Sequence, residues 1–369
     1  MKVARFHAPG DLRIEDADEP SAGPGELLLR VRNCSTCGTD AKIFKHGHHH
    51  IRPPRVMGHE IAGEVVTGTG GWATGDRVQV IAAIPCGRCG ECRRGRMTVC
   101  PDQESMGYHY DGGFAEYMVV PAKVLAVGGV NRIPDGVGFA EASVAEPLAC
   151  VLNGQELARV GEGDDVVVMG SGPIGCLHVR LARSRGAARV FLVDVNAARL
   201  EAAAELVRPD AAVHGGGAAG AIGAAGAIGD AGSVGSVGSV GSVGDAVEQV
   251  LKLTEGRGAD VVITAAASGA AQEQALRMAA RQGRISFFGG LPKDDPVIRC
   301  DSNLVHYREL TIVGANGSSP AHNAQALGLI ADGRVPVSDL ITHRLPLPEV
   351  LDGIGIVSRG EAIKVTVEP

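Results

Sequence analysis

Four cysteines, Cys86, Cys89, Cys92 and Cys100, fall within fifteen residues at spacings of three, three and eight. Four thiolates so spaced suit a tetrahedral zinc, and the glycines between them let the loop fold around the ion. A ferredoxin-type iron–sulfur run has different spacing and a partner run. A closed four-cysteine set keeps no exchangeable position, so this zinc is expected to hold a loop and do no chemistry. A second set is scattered: Cys37 offers a soft ligand, His59 an imidazole, Glu60 and Glu146 carboxylates. A catalytic zinc takes three protein ligands and keeps one position open. Taken singly, each of these residues reads as an ordinary core or surface group.

A third signal is Gly170-Ser171-Gly172-Pro173-Ile174-Gly175, which follows the apolar run DDVVVM and opens a helical stretch. Glycines in a strand–turn–helix setting allow a tight turn and close backbone approach, and the helix N-terminus then faces a pyrophosphate. Asp194 ends the next apolar run, about twenty residues on, where a carboxylate takes ribose hydroxyls and repels a 2′-phosphate, favouring NAD. Arg199 is near enough to be a further cofactor contact.

These residues need elements to position them. Residues 1–155 are rich in Gly, Pro and short β-type runs (LLLRVRN, EIAGEVV, DRVQVIA, AEYMVVP) and predict an all-β unit. From about 158, strands and helices alternate (DDVVVM, CLHVRLARSRG, ARVFLVDV, NAARLEAAAELV), which predicts a parallel sheet. Residues 215–244 repeat Gly-Ser-Val, carry almost no charge and read as a flexible surface insertion. The chain has 369 residues, 45% of them hydrophobic and 21% charged, ample for two domains. A net charge of −7 argues against nucleic acid as a partner. No apolar run reaches the ~20 residues of a membrane helix. No signal-peptide pattern opens the chain, so a cytoplasmic protein is expected. The dispersed Cys34, Cys150, Cys176 and Cys300 read as small buried hydrophobes.

Cys37-Gly38-Thr39-Asp40, Gly58-His59-Glu60, the four-cysteine knuckle, Asp111-Gly112-Gly113-Phe114-Ala115-Glu116-Tyr117 and Glu146-Pro147-Leu148-Ala149 together resemble the zinc-containing medium-chain alcohol dehydrogenases, most closely the sorbitol and threonine dehydrogenase branch. The resemblance covers nearly the whole chain outside the glycine-rich insertion. It implies an α/β fold: a GroES-like β catalytic domain over 1–155 and 292–369, and a Rossmann doubly wound parallel sheet over 156–291. It implies NAD and two zinc ions per chain, one catalytic and one structural, and a homotetramer or homodimer. Cys37 and His59 then bind the catalytic zinc. In polyol-type relatives the carboxylate matching Glu60 commonly ligates, while that matching Glu146 holds the metal's water, and the two exchange roles. Thr39 matches the family hydroxyl that bonds the substrate oxygen and starts the proton path. Related enzymes often place a histidine three residues further on, where this chain has Lys42.

The family loop after Cys37 borders the substrate. Here it carries His46, His48, His49 and His50, suited to bonding several hydroxyls; Tyr108 and His109 are further candidates, and Asn316, Ser318 and Ser319 are polar too. With 3% aromatics, a polar pocket is preferred to a greasy one. The expected activity is hydride transfer between NAD and a secondary alcohol of a polyol, cyclitol or sugar. A threonine-type amino-alcohol dehydrogenase and a non-catalytic nucleotide-binding protein of the same fold are the alternatives. The partner is a small polar alcohol or ketone.

Overall fold

The computed structural model describes residues 1–215 and 245–369. Apart from Gly215, the glycine-rich insertion lies outside the described residues. The chain divides into two compact units, Met1–Asn153 with Asn316–Pro369, and Gly154–Ala315.

The first unit is built on a seven-stranded sheet whose centre is Leu27–Ser35. That strand pairs antiparallel with Glu60–Thr67, with Tyr117–Val120 and, through Cys34 and Ser35, with the C-terminal strand Lys364–Glu368. Ser35 therefore lies opposite both Glu60 and Thr366. This register brings the two ends of the unit together beside one short stretch of chain. Phe6, Leu27, Leu29, Ile61, Met118 and Phe114 fill the core beneath it. Each such side chain, fully removed from water, contributes about 1.5–3 kcal/mol.

The second unit is a six-stranded parallel sheet in the order Ala211–His214, Arg189–Asp194, Asp165–Met169, Ala259–Thr264, Ala279–Phe287, Thr311–Gly314. In chain order this is 3-2-1-4-5-6, the doubly wound arrangement. The central strand Asp165–Met169 is buried at every residue, as a sheet covered on both faces requires. Residues 292–315 belong to this unit and not, as the sequence suggested, to the first. The reason is the strand Thr311–Gly314, which pairs parallel with Ala279–Phe287 and completes the sheet. Among the scattered cysteines, Cys34 and Cys176 are buried, Cys150 is half-buried and Cys300 is exposed, so the expected burial fails at Cys300. No helix among the described residues is long and apolar enough to cross a membrane.

Candidate active site

The helix Gly38–His46 starts at Cys37, whose backbone N–H donates to Asp40 Oδ2 at 2.8 Å. This fixes the Cys37 thiol at a helix N-terminus, where negative charge is favoured. His59 follows Gly58, which takes φ +91°; a Cβ there would lie 2.8 Å from Cys34 Sγ and 2.9 Å from Phe114. The Asp111–Phe114 motif braces this turn: Gly112 N–H donates to Val56 O at 2.9 Å, Gly113 N–H to Gly58 O at 2.9 Å and Phe114 N–H to Met57 O at 3.0 Å. Glu60 opens the strand beside Ser35.

The result is one convergent set. Ligand atoms of Cys37, His59 and Glu60 all lie within 4.8 Å of one another. Glu146, in the first turn of the helix Ala145–Leu157, is buried nearby but falls outside that set, and accepts from the Cys150 thiol at 3.7 Å. His59 Nδ1 faces Asp40 Oδ1 at 3.5 Å. Thr39 Oγ1 is 3.5 Å from Cys37 Sγ. Lys364, only 3% exposed, pairs with Glu60 and donates to Thr36 O at 2.8 Å.

Burial pushes the Glu60 carboxyl up to about 7; Lys364 opposes the shift and Glu146 adds to it. Glu146 is raised as well, again chiefly by burial. His59 is raised because Asp40 outweighs a burial that alone would lower it. Three buried carboxyls, Asp40, Glu60 and Glu146, and the half-buried Cys37 thiol thus gather with the buried lysine and imidazole. Among the described residues, Glu60 Oε1 is buried without a hydrogen-bond partner. Such a donor set, with its excess of negative charge, fits a divalent cation of zinc's softness.

Cys86, Cys89, Cys92 and Cys100 form the second convergent set. Backbone N–H groups of Cys89, Cys92 and Cys86 point at Cys86 Sγ, Cys89 Sγ and Cys100 Sγ at 3.3, 3.4 and 3.3 Å. The backbone N–H groups of Arg88 and Cys89 lower the Cys86 thiol to about 7, while burial raises those of Cys92 and Cys100. Four thiols in a closed knuckle fit a structural zinc, whose binding contributes directly to folding. Cys100→Ser is expected to cost one bound zinc and a few kcal/mol, a fall in Tm of roughly 10 °C for a domain of about 150–250 residues. Zinc analysis and calorimetry check this.

In the second unit, Gly170 has φ +113° and Gly175 packs on it so closely that a Cβ at Gly175 would lie 1.8 Å from Gly170 O. A Cβ at Gly172, by contrast, meets nothing within 4 Å, which leaves the turn open on the side of the helix N-terminus. Gly172 caps the helix Pro173–Ser184 with Pro173 and Ile174 in its first turn. This cradle fits a dinucleotide pyrophosphate. Gly175→Ala forces the turn apart at a cost of about 1–3 kcal/mol. It is expected to weaken NADH binding by at least about tenfold, measured by cofactor fluorescence titration.

Asp194 differs from its simplest reading. Its carboxylate already accepts from Ser171 N at 2.7 Å, Ser171 Oγ at 2.8 Å and Asn196 N at 2.8 Å, and Arg199 clamps both oxygens at 2.9 Å. Arg199 thus holds Asp194. Among the substrate candidates, the His48 ring lies 5.0 Å from Tyr108, which lies 6.0 Å from His59; His49 is 4.4 Å from His48, and His109 is 5.0 Å from His50. Burial raises the Tyr108 hydroxyl, so it remains a neutral donor. Lys42 is exposed on its helix. Two residues carried no assigned role in the sequence reading, Asp40 and Lys364. An acid following Cys-Gly-Thr is a readable hint for the first; nothing local marks the second.

A GroES-like β unit with this donor set, joined in one chain to a Rossmann sheet, defines a nucleotide-linked zinc dehydrogenase. Residues 23–131 match the alcohol dehydrogenase GroES-like domain and residues 173–332 the zinc-binding dehydrogenase domain. A sorbitol dehydrogenase of Halalkalibacterium halodurans is 29% identical over 100% of this chain and 98% of its own. An L-threonine 3-dehydrogenase of Pyrococcus horikoshii is 32% identical over 90% of this chain and 87% of its own. A Sinorhizobium meliloti structure, described as a zinc-binding dehydrogenase bound to NADP, superposes with a TM-score of 0.85 at 31% identity, covering 100% of this chain and 99% of that one. The chain belongs to the zinc-dependent medium-chain alcohol dehydrogenase family.

Proposed function

We propose that this protein oxidises a secondary alcohol of a polyol, cyclitol or sugar with NAD, using one catalytic and one structural zinc. The observation that carries the reading is the convergence of Cys37, His59 and Glu60 within 4.8 Å, with Glu146 buried beside them. Cys37, His59 and Glu60 would hold the catalytic zinc, and Cys86, Cys89, Cys92 and Cys100 the structural one. Bound there, zinc would lower the pKa of a substrate hydroxyl and polarise the corresponding carbonyl. The Thr39 hydroxyl, beside Cys37, would accept a hydrogen bond from the substrate hydroxyl and take up its proton as its own proton leaves to solvent. Asp40 orients and charges the His59 imidazole's surroundings. His48, His49, Tyr108 and His109 supply donors and acceptors for additional hydroxyls, which suits a polyhydroxylated substrate. The Gly170–Gly175 turn takes the pyrophosphate, and Asp194 faces the ribose.

NAD is preferred to NADP in this reading because the Asp194–Arg199 pair is neutral as a unit and offers a 2′-phosphate no net attraction. Reduced cysteines suit both zinc sets, and cytoplasm is the compartment that keeps them reduced. Self-association as a dimer or tetramer is part of the same proposal. Its support is the outer strand Thr311–Gly314, with Ile312 37% exposed, an edge suited to pairing with a second copy.

The test is NADH formation at about 340 nm by zinc-loaded protein against polyols, inositols, aldoses, threonine and simple alcohols, with NAD and NADP in parallel. Turnover of polyhydroxylated compounds with NAD is expected. Turnover confined to threonine would replace the polyol reading with the one suggested by the Pyrococcus horikoshii relative. Protein that binds NADH and zinc but oxidises nothing in the panel would favour the non-catalytic alternative.

A further inference from the structure

A line of polar side chains, most of them buried, runs through the first unit toward Glu146. Asn131 Nδ2 donates to Gln79 Oε1 at 2.8 Å, and Gln79 Nε2 donates to Asn323 Oδ1 at 3.1 Å. Asn323 Nδ2 donates to Ser318 Oγ at 3.1 Å. Burial and the Glu146 charge raise the Cys150 thiol while the Ser318 hydroxyl lowers it, and that thiol faces Glu146 Oε1 at 3.7 Å. The three amide donors, Asn131, Gln79 and Asn323, point the same way, so their dipoles add head to tail toward Ser318. Gln79, Asn323 and Ser318 are 0%, 1% and 2% exposed. Hydrogen bonds aligned in a low-dielectric interior strengthen one another.

We propose that Cys150, backed by Ser318, Asn323 and Gln79, is a positioning residue that holds the Glu146 carboxylate in place beside the Cys37–His59–Glu60 set. Three observations support it. Cys150 follows Glu146 by four residues on one helix, so the two side chains share a face. Glu146 lies outside the 4.8 Å ligand set although it is buried against it, and the thiol is the side-chain donor holding one of its oxygens. The members come from four separated segments, the strands Arg77–Val80 and Val130–Arg132, the helix Ala145–Leu157 and the start of the helix Pro320–Ala331, so the contacts are not a by-product of one local turn. Burying several polar groups in an apolar unit is costly unless each is satisfied, and here the satisfied chain terminates on a reacting centre. With the thiol in place Glu146 stays beside the ligand set; without it the carboxylate is free to join or leave the set.

This inference rests on the reading of Cys37, His59 and Glu60 as metal ligands, and the experiment separates the two. Cobalt(II) replaces zinc in the full chain, and the Cys37→Ser spectrum is subtracted to isolate the d–d bands of that centre. Loss of no bands in Cys37→Ser would overturn the ligand reading. With bands present, Cys150→Ala is expected to shift them and to lower kcat about tenfold with KM changed less than about twofold. Cys150→Ser, which keeps a donor, is expected to restore the spectrum and bring kcat to within about threefold of the original. Asn323→Ala, at a distance from the metal, is expected to shift the same bands in the same direction by less. It also serves as the test if Cys150→Ala does not fold. A Cys150→Ala spectrum and kcat unchanged from the original, or a Cys150→Ser protein as impaired as Cys150→Ala, would overturn the proposal.

Discussion

Cys37→Ser is expected to lower kcat/KM by at least about 10³-fold and to remove one of two bound zinc ions, with NADH affinity unchanged. The magnitude follows from the charge the centre must manage. Stabilising a developing oxyanion with a bound cation is worth several kcal/mol, and each 1.36 kcal/mol is about tenfold in rate. Serine keeps the size of the side chain but exchanges a soft anionic sulfur for a hard neutral hydroxyl, a poor zinc ligand. His59 and Glu60 then remain as two ligands, one fewer than a catalytic site needs. The dinucleotide turn is built wholly within Gly154–Ala315, so its affinity serves as the control for folding. Retained zinc with retained activity would show that the convergence of these three residues is incidental. Retained zinc with lost activity would assign Cys37 a role in chemistry and leave the metal to other groups. Metal analysis, steady-state kinetics and a cofactor titration on one preparation distinguish these outcomes.

What could be read in the sequence was whatever the chain encodes at short range. The knuckle was legible because its four ligands lie within fifteen residues, and the glycine turn because strand, glycines and helix are contiguous. Gly58 and Gly112 were legible as motif members, but their reason was not: the bracing of the His59 turn by Gly112–Phe114 is a contact between segments more than fifty residues apart. Asp194 was legible as a carboxylate at a strand end, while its clamp by Arg199 depends on how the following helix starts. The domain boundary was misplaced by some twenty residues because Pro292–Arg299 has the polar, turn-rich look of a linker. The strand after it is short and carries no pattern that tells a sixth parallel strand from a return to the β unit. Lys364 was the least legible. It lies three hundred residues from Glu60 and meets it only because Ser35 pairs with both strands.

That lysine gives the second large expected effect. Lys364→Met is expected to reduce kcat/KM by about 10²–10³-fold and to lower zinc occupancy, while Lys364→Arg stays within about tenfold of the original. Two effects of Lys364 oppose each other, and magnitude decides between them. Its positive charge repels an incoming dication, so its loss alone would tighten metal binding. It also holds Glu60 ionised and aimed, and Glu60 sits in a place where burial already favours the neutral acid. Removing one partner of a buried ion pair costs about 3–5 kcal/mol, because the remaining charge is left desolvated. The repulsion is smaller, since the lysine is already compensated by Glu60 and by its bond to Thr36 O. Methionine matches the lysine in length and fills the same space, which keeps the cavity cost low. The Cys37, Glu60, Glu146 and Asp40 groups together carry up to four negative charges, and a zinc ion supplies only two positive ones. Without Lys364 the balance is restored most cheaply by protonating a carboxyl, and Glu60 is the one that has lost its cation. A neutral Glu60 is a weak ligand, so the metal site fails by losing its third arm while Cys37 and His59 remain. Zinc analysis beside kinetics tests this: a Lys364→Met protein with full zinc and full activity would show that Glu60 needs no counter-ion, and that the ligand set closes on the metal alone.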